Sequence, residues 1–390
     1  MTRPRWLVVG ALGCAQILAW GASYYLIAVL AKPIGDQTGW PLGWIIGGLS
    51  GSFLVSGLVS PRVGGLIDRL GGRPVLASSA VLLAIGLALL AVAPNIPMYV
   101  FAWAVMGVGM GAGLYDPAFA TLGRLYGEQA RSAITMTTLY GGFASTVCWP
   151  LSALLVEQVG WRGACLAYAG IMLAVVLPLY WFGLPKEPAT APPPRAAGRA
   201  GQVVLTPRLR LAFWMLALNL TLASVVMTVV SVHLLTLLQT RGIELAAAVG
   251  LGALIGPAQV GARVVEMLIG RNRHPVWTLL ASTLLAAAGL GLIFGDPAMV
   301  AVGLVLYGSG SGIRSIARGT VPLALFGREG YATLMGRLAM PTLIAQAAAP
   351  SAGAWLLEAL GANAMLLVLV AGAVLNIATS LPLLGYARER

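Results

Sequence analysis

The sequence is poor in charged residues. Only 9% of its 390 residues are Asp, Glu, Lys or Arg, whereas 59% are hydrophobic. A soluble globular domain carries about 25% charged residues, because its surface must be hydrated. The composition therefore excludes an ordinary soluble protein. Apolar runs of about 20 residues, each long enough to cross a hydrocarbon core of about 30 Å, recur along the whole chain and indicate a polytopic membrane protein.

Cysteine is also scarce, and several catalytic motifs are missing. The three cysteines, Cys14, Cys148 and Cys165, all fall in predicted spans and so imply no disulfide framework. The chain lacks a Walker sequence and the HExxH and CxxC metal motifs. The glycine run "GVGMGAG" at 107–113 lies inside a predicted span, so we do not interpret it as a phosphate loop. We predict neither an ATP-driven pump nor an enzyme, and no cofactor or metal.

Acidic residues are half as numerous as basic ones, 12 against 24, which gives a formal net charge of +12. The intervening loops hold only Lys32, Arg162 and Arg241, and the remaining basic residues of the loops gather in alternate loops. These are Arg3, Arg5, Arg69, Arg73, Arg124, Arg131, those of 186–210, Arg271, Arg273, Arg328, Arg388 and Arg390. The positive-inside rule then places both termini in the cytoplasm. We therefore predict a multi-pass protein of the inner (cytoplasmic) membrane. Topology explains the positive charge, so no nucleic-acid partner is predicted.

Turn and charge signals predict an all-α membrane protein with twelve transmembrane helices in two six-helix bundles. The apolar stretch at the N-terminus is too long for a signal peptide and is interpreted as the uncleaved first span. The predicted spans are 6–31, 41–67, 75–93, 97–123, 132–157, 163–183, 209–238, 245–270, 275–293, 297–323, 330–357 and 362–385. We predict an N-terminal bundle at 1–183, a Pro- and Ala-rich cytoplasmic linker at 184–208, and a C-terminal bundle at 209–390.

The two halves of the chain resemble each other. Three residue pairs recur at an offset of about 200 residues: Gly127 and Gly327, Pro150 and Pro350, Glu157 and Glu358. A parallel 6+6 repeat with a midplane binding site is the architecture of many secondary transporters. The glycine runs of the fourth and tenth spans allow close helix packing, and we interpret them as rocking interfaces.

The loop after the second span carries a family signature. "GGLIDRLGGRP" matches the pattern G-x-x-x-D-R-x-G-x-R, through Gly64, Asp68, Arg69, Gly71 and Arg73. Asp68 would lie at a helix end, where it can accept hydrogen bonds from a neighbouring helix N-terminus or from an arginine. The pattern resembles the signature loop of the major facilitator superfamily. That resemblance implies a gating loop that latches the cytoplasmic side shut.

Further pieces resemble a narrower family, the monocarboxylate porters and oxalate/formate exchangers. They are "AKPIGDQTGWPLGW", "DPAFATLGR", "GWRG" and "GPAQVGAR". In that family an arginine of the eighth span binds the substrate carboxylate, and Arg263 falls on this position. Two matches are imperfect, because Gln259 replaces an acidic residue and Tyr25 stands nearest to the family's first-span lysine.

The position of Arg263 within a predicted span makes its charge energetically costly. It precedes the predicted interface at Arg271 by about 12 Å of helix and so lies near mid-depth. An ionised group there costs at least about 2.5–3.5 kcal/mol, so it should face a cavity. A guanidinium matches a carboxylate with two parallel hydrogen bonds. The alternative is an internal ion pair with Glu266 or Asp116.

Other polar residues of the spans are weaker candidates. Arg337 is the second substrate-binding candidate, while Arg314 and Arg318 are expected to reach the inner interface. Polar or aromatic residues of spans one, five, seven and eleven are interpreted as cavity lining, with helix–helix hydrogen bonding as the alternative for each. They are Gln16, Tyr24, Tyr25, Tyr140, Thr146, Asn219 and Gln346. The candidates for proton coupling are Asp116, Glu266 and His233, with a structural role as the alternative for His233.

The sequence therefore predicts a secondary transporter that moves a small organic anion, a monocarboxylate or dicarboxylate, by alternating access. Coupling to protons or to a counter-anion is left open, and a functional monomer in the lipid bilayer is expected. The alternative within transport is efflux of a drug or of a metalloid such as arsenite, for which Cys14 and Cys148 are the candidate ligands. A non-transporting receptor on the same fold is a third possibility, for which the chain shows no appended domain.

Overall fold

The computed structural model describes residues 3–186, 205–270, 273–295 and 297–387. Every regular element in these ranges is a helix. Residues 187–204 of the predicted linker lie outside the described residues, as do Arg271, Arg388 and Arg390 of the predicted positive-inside pattern.

Fifteen α-helices are assigned within the described residues. In the first half they are α1 (Arg5–Gly21), α2 (Leu26–Thr38), α3 (Leu42–Leu70), α4 (Gly72–Val92), α5 (Ile96–Gly113), α6 (Tyr115–Tyr126), α7 (Ala130–Gly142), α8 (Ala144–Ile171) and α9 (Leu177–Gly183). In the second half they are α10 (Pro207–Gln239), α11 (Leu245–Gly252), α12 (Ile255–Ile269), α13 (Pro275–Gly295), α14 (Val300–Phe326) and α15 (Tyr331–Ser380). A π-helical segment, Met172–Val176, joins α8 to α9.

Ten helical stretches of the described chain are long and apolar enough to cross a membrane. Two of them run for 54 residues (Ala130–Gly183) and 56 residues (Tyr331–Tyr386). At about 1.5 Å per residue, each is roughly 80 Å long and cannot be a single span. Gly160 and Gly361 interrupt them with φ of 69° and 82°, a left-handed conformation that a side chain disfavours. Division at these glycines gives the twelve spans expected from the sequence.

The first span extends further than predicted. The sequence predicts its end near residue 31, but α2 continues to Thr38. Within this last part Lys32 and Asp36 form an exposed ion pair of 2.6 Å at the favourable i,i+4 spacing. Gly39, with φ of 69°, ends the helix. The polar residues that suggested a loop are thus the exposed final turns of a helix.

Four spans are broken near their middle. The breaks fall at Ala22–Tyr25, Leu114, Phe143 and Ala253–Leu254. The second of them has a cause in the sequence. Pro117 has no N–H, so the carbonyl of Gly113, four residues earlier, has no helical partner. The backbone of Leu114 accordingly leaves helical geometry, with ψ of −156°.

Glycines set the helix packing in both halves. In the first half a methyl group added to Gly107 of α5 would lie 2.7 Å from the Ser52 carbonyl oxygen of α3. In the second half the same addition to Gly308 of α14 would lie 2.9 Å from the Ile255 carbonyl oxygen of α12. The contacts recur one turn later, where Gly111 meets Ser56 and Gly312 meets Gln259. The pairs α3–α5 and α12–α14 are therefore equivalent by their packing. One further turn along, Ser60 corresponds to Arg263.

The helices group into two compact units. The first comprises the described residues before 187 together with Arg328–Ala347. Its largest fully buried side chains include Trp103, Trp161, Tyr168 and Tyr180. The second comprises Leu205–Gly327 and the described residues from Ala348 onward. Its core is a cluster of aliphatic side chains centred on α10, α13, α14 and the later part of α15. The division into bundles at 1–183 and 209–390 stays a prediction.

Candidate functional site

Arg263 is buried in the second unit. Its side chain is only 6% exposed, and its Nε donates a hydrogen bond of 3.1 Å to the carbonyl oxygen of Gly312. The contact depends on close packing, because a side chain at Gly312 would collide with the backbone of Gln259. The bond to α14 fixes one edge of the planar guanidinium, and with it the direction in which the group points. Gln259, one turn earlier on α12, is half-buried.

Glu266 lies at the end of α12. Its Oε1 accepts a hydrogen bond of 2.6 Å from the hydroxyl of Thr278 on α13. The carboxyl group packs closely against Gly270, where a side chain would collide with it. Glu266 is half-buried. Its role in proton coupling stays a prediction.

Asn219 and His233, two candidate site residues of the second unit, form hydrogen bonds between helices. Asn219 is fully buried, and its Nδ2 donates to the carbonyl of Asn376 (2.9 Å) and to the hydroxyl of Thr379 (3.0 Å). His233 is buried, with its Nε2 3.1 Å from the carbonyl oxygen of Pro350. These contacts favour the structural alternative for both. Substrate binding by Asn219 and proton coupling by His233 stay predictions.

Gln16, in the first unit, also has a structural role. It is fully buried, and its Nε2 donates a hydrogen bond of 2.7 Å to the carbonyl of Gly113. That carbonyl is the one that Pro117 leaves without a helical partner. The Oε1 of Gln16 accepts from the indole Nε1 of Trp20 at 3.2 Å. Both ends of the amide are therefore occupied, and substrate binding by Gln16 stays a prediction.

Tyr25 belongs to a cluster of aromatic rings in the first unit. Its ring centroid lies 4.9 Å from that of Tyr24, 6.4 Å from that of Trp20 and 5.9 Å from that of Trp149. Trp20 in turn lies 4.9 Å from Tyr115. The cluster gathers at the helix breaks of the first, fourth and fifth spans. Tyr140, also half-buried, packs instead against Gly13.

A cleft adjoins this aromatic cluster. Its volume is about 540 Å³, and it lies between α2 and the first turns of α8. Trp149 forms part of both the cleft and the cluster. Ser145 and Thr146 add hydroxyl groups to an otherwise apolar wall. The sequence argument had named Tyr24, Tyr25 and Thr146, but it missed the part played by the tryptophans.

The predicted gating loop caps a helix. Asp68, at the end of α3, accepts two hydrogen bonds through Oδ2 from Thr333, one from the backbone N–H (2.9 Å) and one from the hydroxyl (2.6 Å). Thr333 lies in the first turn of α15, where backbone N–H groups have no helical acceptor and favour a negative charge. Arg124 donates to the backbone carbonyl of Asp68. All three residues belong to the first unit.

The other residues of this loop have distinct roles. Gly71 adopts φ of 85° between α3 and α4, a conformation suited to glycine. The guanidinium of Arg73 lies 4.4 Å from the ring centroid of Trp181, whereas Arg69 is exposed. Gly64 packs so closely against α15 that any side chain would collide with the carbonyl of Ala332.

The remaining predicted residues of the first unit lie on α6 and α15. Asp116 is half-buried and lines a closed cavity of about 10 Å³ with Gly64 and Gly336, among others. That space holds at most about one water molecule. Arg337 is exposed and Gln346 is half-buried. Substrate binding by these two, and proton coupling by Asp116, stay predictions.

The three cysteines form no disulfide bond. All three are free; Cys14 is exposed, while Cys148 and Cys165 are buried. The sulfur of Cys148 donates to the carbonyl of Ile17 at 3.6 Å and packs against Gly21. Among the described residues no group of three His, Cys, Asp or Glu side chains could hold a metal ion.

Two helical units with apolar spans, mid-span breaks and a loop that caps a neighbouring helix define a polytopic membrane protein of the secondary-transporter type. The family description "Major Facilitator Superfamily" matches residues 12–273. The chain belongs to the major facilitator superfamily. Its fold is the all-helical fold of that superfamily, and its sequence resembles those of the monocarboxylate transporters.

Human monocarboxylate transporter 11 is 31% identical over 245 residues, which cover 60% of this chain and 49% of that protein. The aligned stretch is thus about half the length of this relative. The crystal structure of the human organic anion transporter MFSD10 superposes with a TM-score of 0.79, 18% identity and coverage of 97% of this chain and 100% of that one. The transporter FucP in its outward conformation gives a TM-score of 0.73, 16% identity and coverage of 95% and 97%. Likeness at such low identity shows the fold alone.

Proposed function

We propose that the protein is a secondary active transporter that moves a small organic anion across the inner membrane by alternating access. The cargo is a monocarboxylate or dicarboxylate, and transport is coupled to protons or to exchange of a counter-anion. The sequence relationship to monocarboxylate transporters supports this cargo class. Both termini would lie in the cytoplasm, and a single chain would be the functional unit.

The burial of Arg263 carries the proposal. A cationic side chain buried in a membrane span is costly and commonly marks a substrate pathway. The hydrogen bond to Gly312 orients the group. A carboxylate matches a guanidinium, which can donate two parallel hydrogen bonds to it. Gln259, one turn away on α12, can supply a further amide donor.

The packing equivalence of the two halves supports a special role for this arginine. The position that corresponds to Arg263 in the first half is Ser60, a small buried residue whose hydroxyl bonds to its own helix at Ser56 (2.6 Å). The fold of this helix pair therefore does not require a charge at this position. A charge retained in one half only is better explained by a ligand than by architecture.

Efflux of a metalloid has less support. A soft metalloid ion needs two or three thiolates held close together. Cys148 is buried against Gly21, while Cys14 is exposed. No observation on the described residues favours this alternative or drug efflux over anion transport.

Transport by the purified protein in proteoliposomes tests the proposal. Uptake and counterflow of radiolabelled pyruvate, lactate and oxalate would be measured with and without an imposed pH gradient. We expect Arg263→Ala to lower kcat/KM roughly 10- to 100-fold, since a hydrogen bond to a charged group contributes about 1.5–3 kcal/mol. Arg263→Lys should recover only part of this loss, because an ammonium lacks the planar fork.

Arg62→Ala is the matched control. Arg62 is an exposed arginine of α3 that reaches only a carbonyl of its own helix, at 3.5 Å. Its replacement should leave transport unchanged. Wild-type transport of every carboxylate by the Arg263→Ala protein would contradict the assigned binding role.

A further inference from the structure

Arg314 lies near the middle of α14 (Val300–Phe326), although the sequence pattern predicts that it reaches the inner interface. About 18 Å of helix separates it from Phe326, and a side chain leans toward the N-terminus of its helix, away from that end. The Nη2 of Arg314 donates to Sδ of Met227 on α10, at 3.1 Å. Both helices belong to the second unit, so the structure places this cation at mid-span within one unit.

The thioether of Met227 is a poor partner for this cation, because sulfur is only a weak hydrogen-bond acceptor. Arg314 forms no ion pair within the described part of the chain. Arg318, one turn later on α14, is a second cation that interacts electrostatically with Arg314. Like charges at this i,i+4 spacing repel each other. An anion at this position would relieve the repulsion.

Two buried hydroxyl groups share the face of α14 that carries Arg314. Tyr307 and Ser311 precede it at the spacing of one helix face, and they are 3% and 4% exposed. The Tyr307 hydroxyl interacts electrostatically with the Arg314 guanidinium and lies beside the side chain of Ser311. Among the residues that the structure describes, neither hydroxyl oxygen has a hydrogen-bond partner of regular geometry. Because unpartnered buried polar groups are costly, two unused donors beside a cation indicate an anionic ligand.

This face of α14 is not the one that contacts Arg263. Arg263 bonds to the carbonyl of Gly312, and Gly308 and Gly312 pack against α12. Two residues that are two positions apart lie on nearly opposite sides of a helix, as Gly312 and Arg314 do. The two arginines therefore define separate positions within the second unit.

The first half of the chain has no charge at the equivalent position. Since Gly308 corresponds to Gly107, Arg314 corresponds to Gly113. The carbonyl of Gly113 accepts a hydrogen bond from Gln16 of α1, in the first span, which is the counterpart of the seventh. A neutral contact thus suffices between these two spans, and the architecture does not require a cation.

The donor set favours a small monatomic anion. The guanidinium and the two hydroxyl groups can all donate, and none of the three side chains is negatively charged. The Nη2 of Arg314 is directed at Met227, which disfavours the parallel two-bond match to a carboxylate. The hydroxyl groups are buried, so the ligand must be small. A halide has no directional requirement and can accept hydrogen bonds from donors at several angles.

We propose that Tyr307, Ser311 and Arg314 form a halide site in the second unit, with chloride as the physiological ligand. The site is separate from the carboxylate site proposed at Arg263 and does not depend on the proposed function. Because a ligand that binds only the folded protein stabilises it, occupancy of the site should raise the melting temperature.

Thermal unfolding of the purified protein in detergent tests the site. Sodium bromide would be titrated against sodium gluconate at constant ionic strength, starting from chloride-free buffer. We expect the wild-type melting temperature to rise saturably with bromide, and Arg314→Gln should abolish the rise. Tyr307→Phe and Ser311→Ala should each raise the half-maximal bromide concentration roughly 10-fold, since each removes a hydrogen bond to a charged ligand.

Arg263→Gln and Arg62→Gln are the controls, because they remove a buried arginine of α12 and an exposed arginine of α3. Both variants should keep the bromide response of the wild type. Tyr307→Phe keeps the charge and removes one oxygen atom, so it decides the question if Arg314→Gln does not fold.

The absence of a bromide response in the wild type would overturn the proposal, as would an unchanged response in Arg314→Gln or Tyr307→Phe. Loss of the response in Arg263→Gln would place the halide at the carboxylate site and would also overturn it. Sodium lactate serves as a further probe. A saturable rise with lactate but not with bromide, lost in Arg314→Gln, would show that Arg314 binds a carboxylate and that the halide assignment is wrong.

Discussion

A polar residue within a span can hold helices together or bind a ligand, and the sequence alone does not distinguish these two roles. Gln16, Asn219 and Arg263 each interrupt an apolar run, and the structure shows all three buried with a bond to a backbone carbonyl of another helix. The difference lies in charge. The side-chain amides of Gln16 and Asn219 are uncharged, whereas the guanidinium of Arg263 is a cation. Of these three residues, Arg263 is the one whose side chain suits an anionic ligand.

The structural role of Gln16 leads to a prediction at this scale. Gln16→Leu leaves the Gly113 carbonyl with only the distant hydroxyl of Tyr180, at 3.4 Å. Loss of a partner from a buried polar group costs about 1–3 kcal/mol, so the apparent melting temperature of the protein in detergent should fall. The KM of the remaining folded protein should stay unchanged. An unaltered melting temperature combined with a raised KM would instead return Gln16 to the substrate site.

At the scale of elements, glycine determines how closely the helices approach. The sequence shows glycine-rich runs in several spans, but glycine also occurs on faces with open space around it. Gly64 and Gly65 are neighbours on α3, and only Gly64 meets the backbone of α15. Because helix rotation decides which of two adjacent residues lies at an interface, local sequence does not separate them.

This pair of neighbours provides a matched test. Gly64→Ala would force α3 away from the Ala332 carbonyl and weaken the bonds from Thr333 to Asp68, because those bonds need the same close approach. We expect a large loss of transport rate with normal membrane insertion. Gly65→Ala, with no atom within 4 Å of the added methyl group, should transport as wild type does. Equal activity of the two variants would show that this contact has no part in the transport cycle.

Gly160 and Gly361, the glycines that interrupt the two longest helical stretches, lead to a second prediction at the scale of elements. Gly160→Ala places a side chain in a backbone conformation (φ 69°, ψ 172°) that is essentially reserved for glycine, which costs about 1–3 kcal/mol. Gly170→Ala, in the same helix and with open space around it, should be neutral or stabilising, because alanine is the better helix former. The melting temperature in detergent should therefore fall for Gly160→Ala. For Gly170→Ala it should stay unchanged or rise. A fall of equal size for both would mean that the kink does not need glycine.

For the whole molecule, the alternation of charged loops predicts an orientation in the membrane. Single cysteines would be introduced at three exposed positions, Gln37, Glu244 and Glu329, in a background with the three native cysteines replaced by alanine. A membrane-impermeant maleimide should label Gln37→Cys and Glu244→Cys in intact spheroplasts, because both precede spans that start outside. Glu329→Cys should react only after permeabilisation. The reverse pattern would invert the topology.

Much of the architecture could be predicted, because it depends on local features of the chain. Span length, glycine at the two kinks and the repeat of glycines between the halves are all properties of short stretches. The signature loop was predictable for the same reason, including the ability of Asp68 to meet a helix N-terminus. Its partner Thr333 was not, since it lies 265 residues away in the chain and carries no signal of its own.

The sequence by itself determined that this protein spans the membrane many times, which superfamily it resembles, and that a permanent charge lies within its eighth span. It could do so because hydropathy, motif spacing and ionisation are properties of the residues themselves. Only the tertiary structure decided which polar side chains bond to neighbouring helices and that aromatic rings from three spans meet beside a cleft. A span that is apolar on nearly all faces gives no periodic signal of its rotation, so packing between helices alone determines where each side chain points.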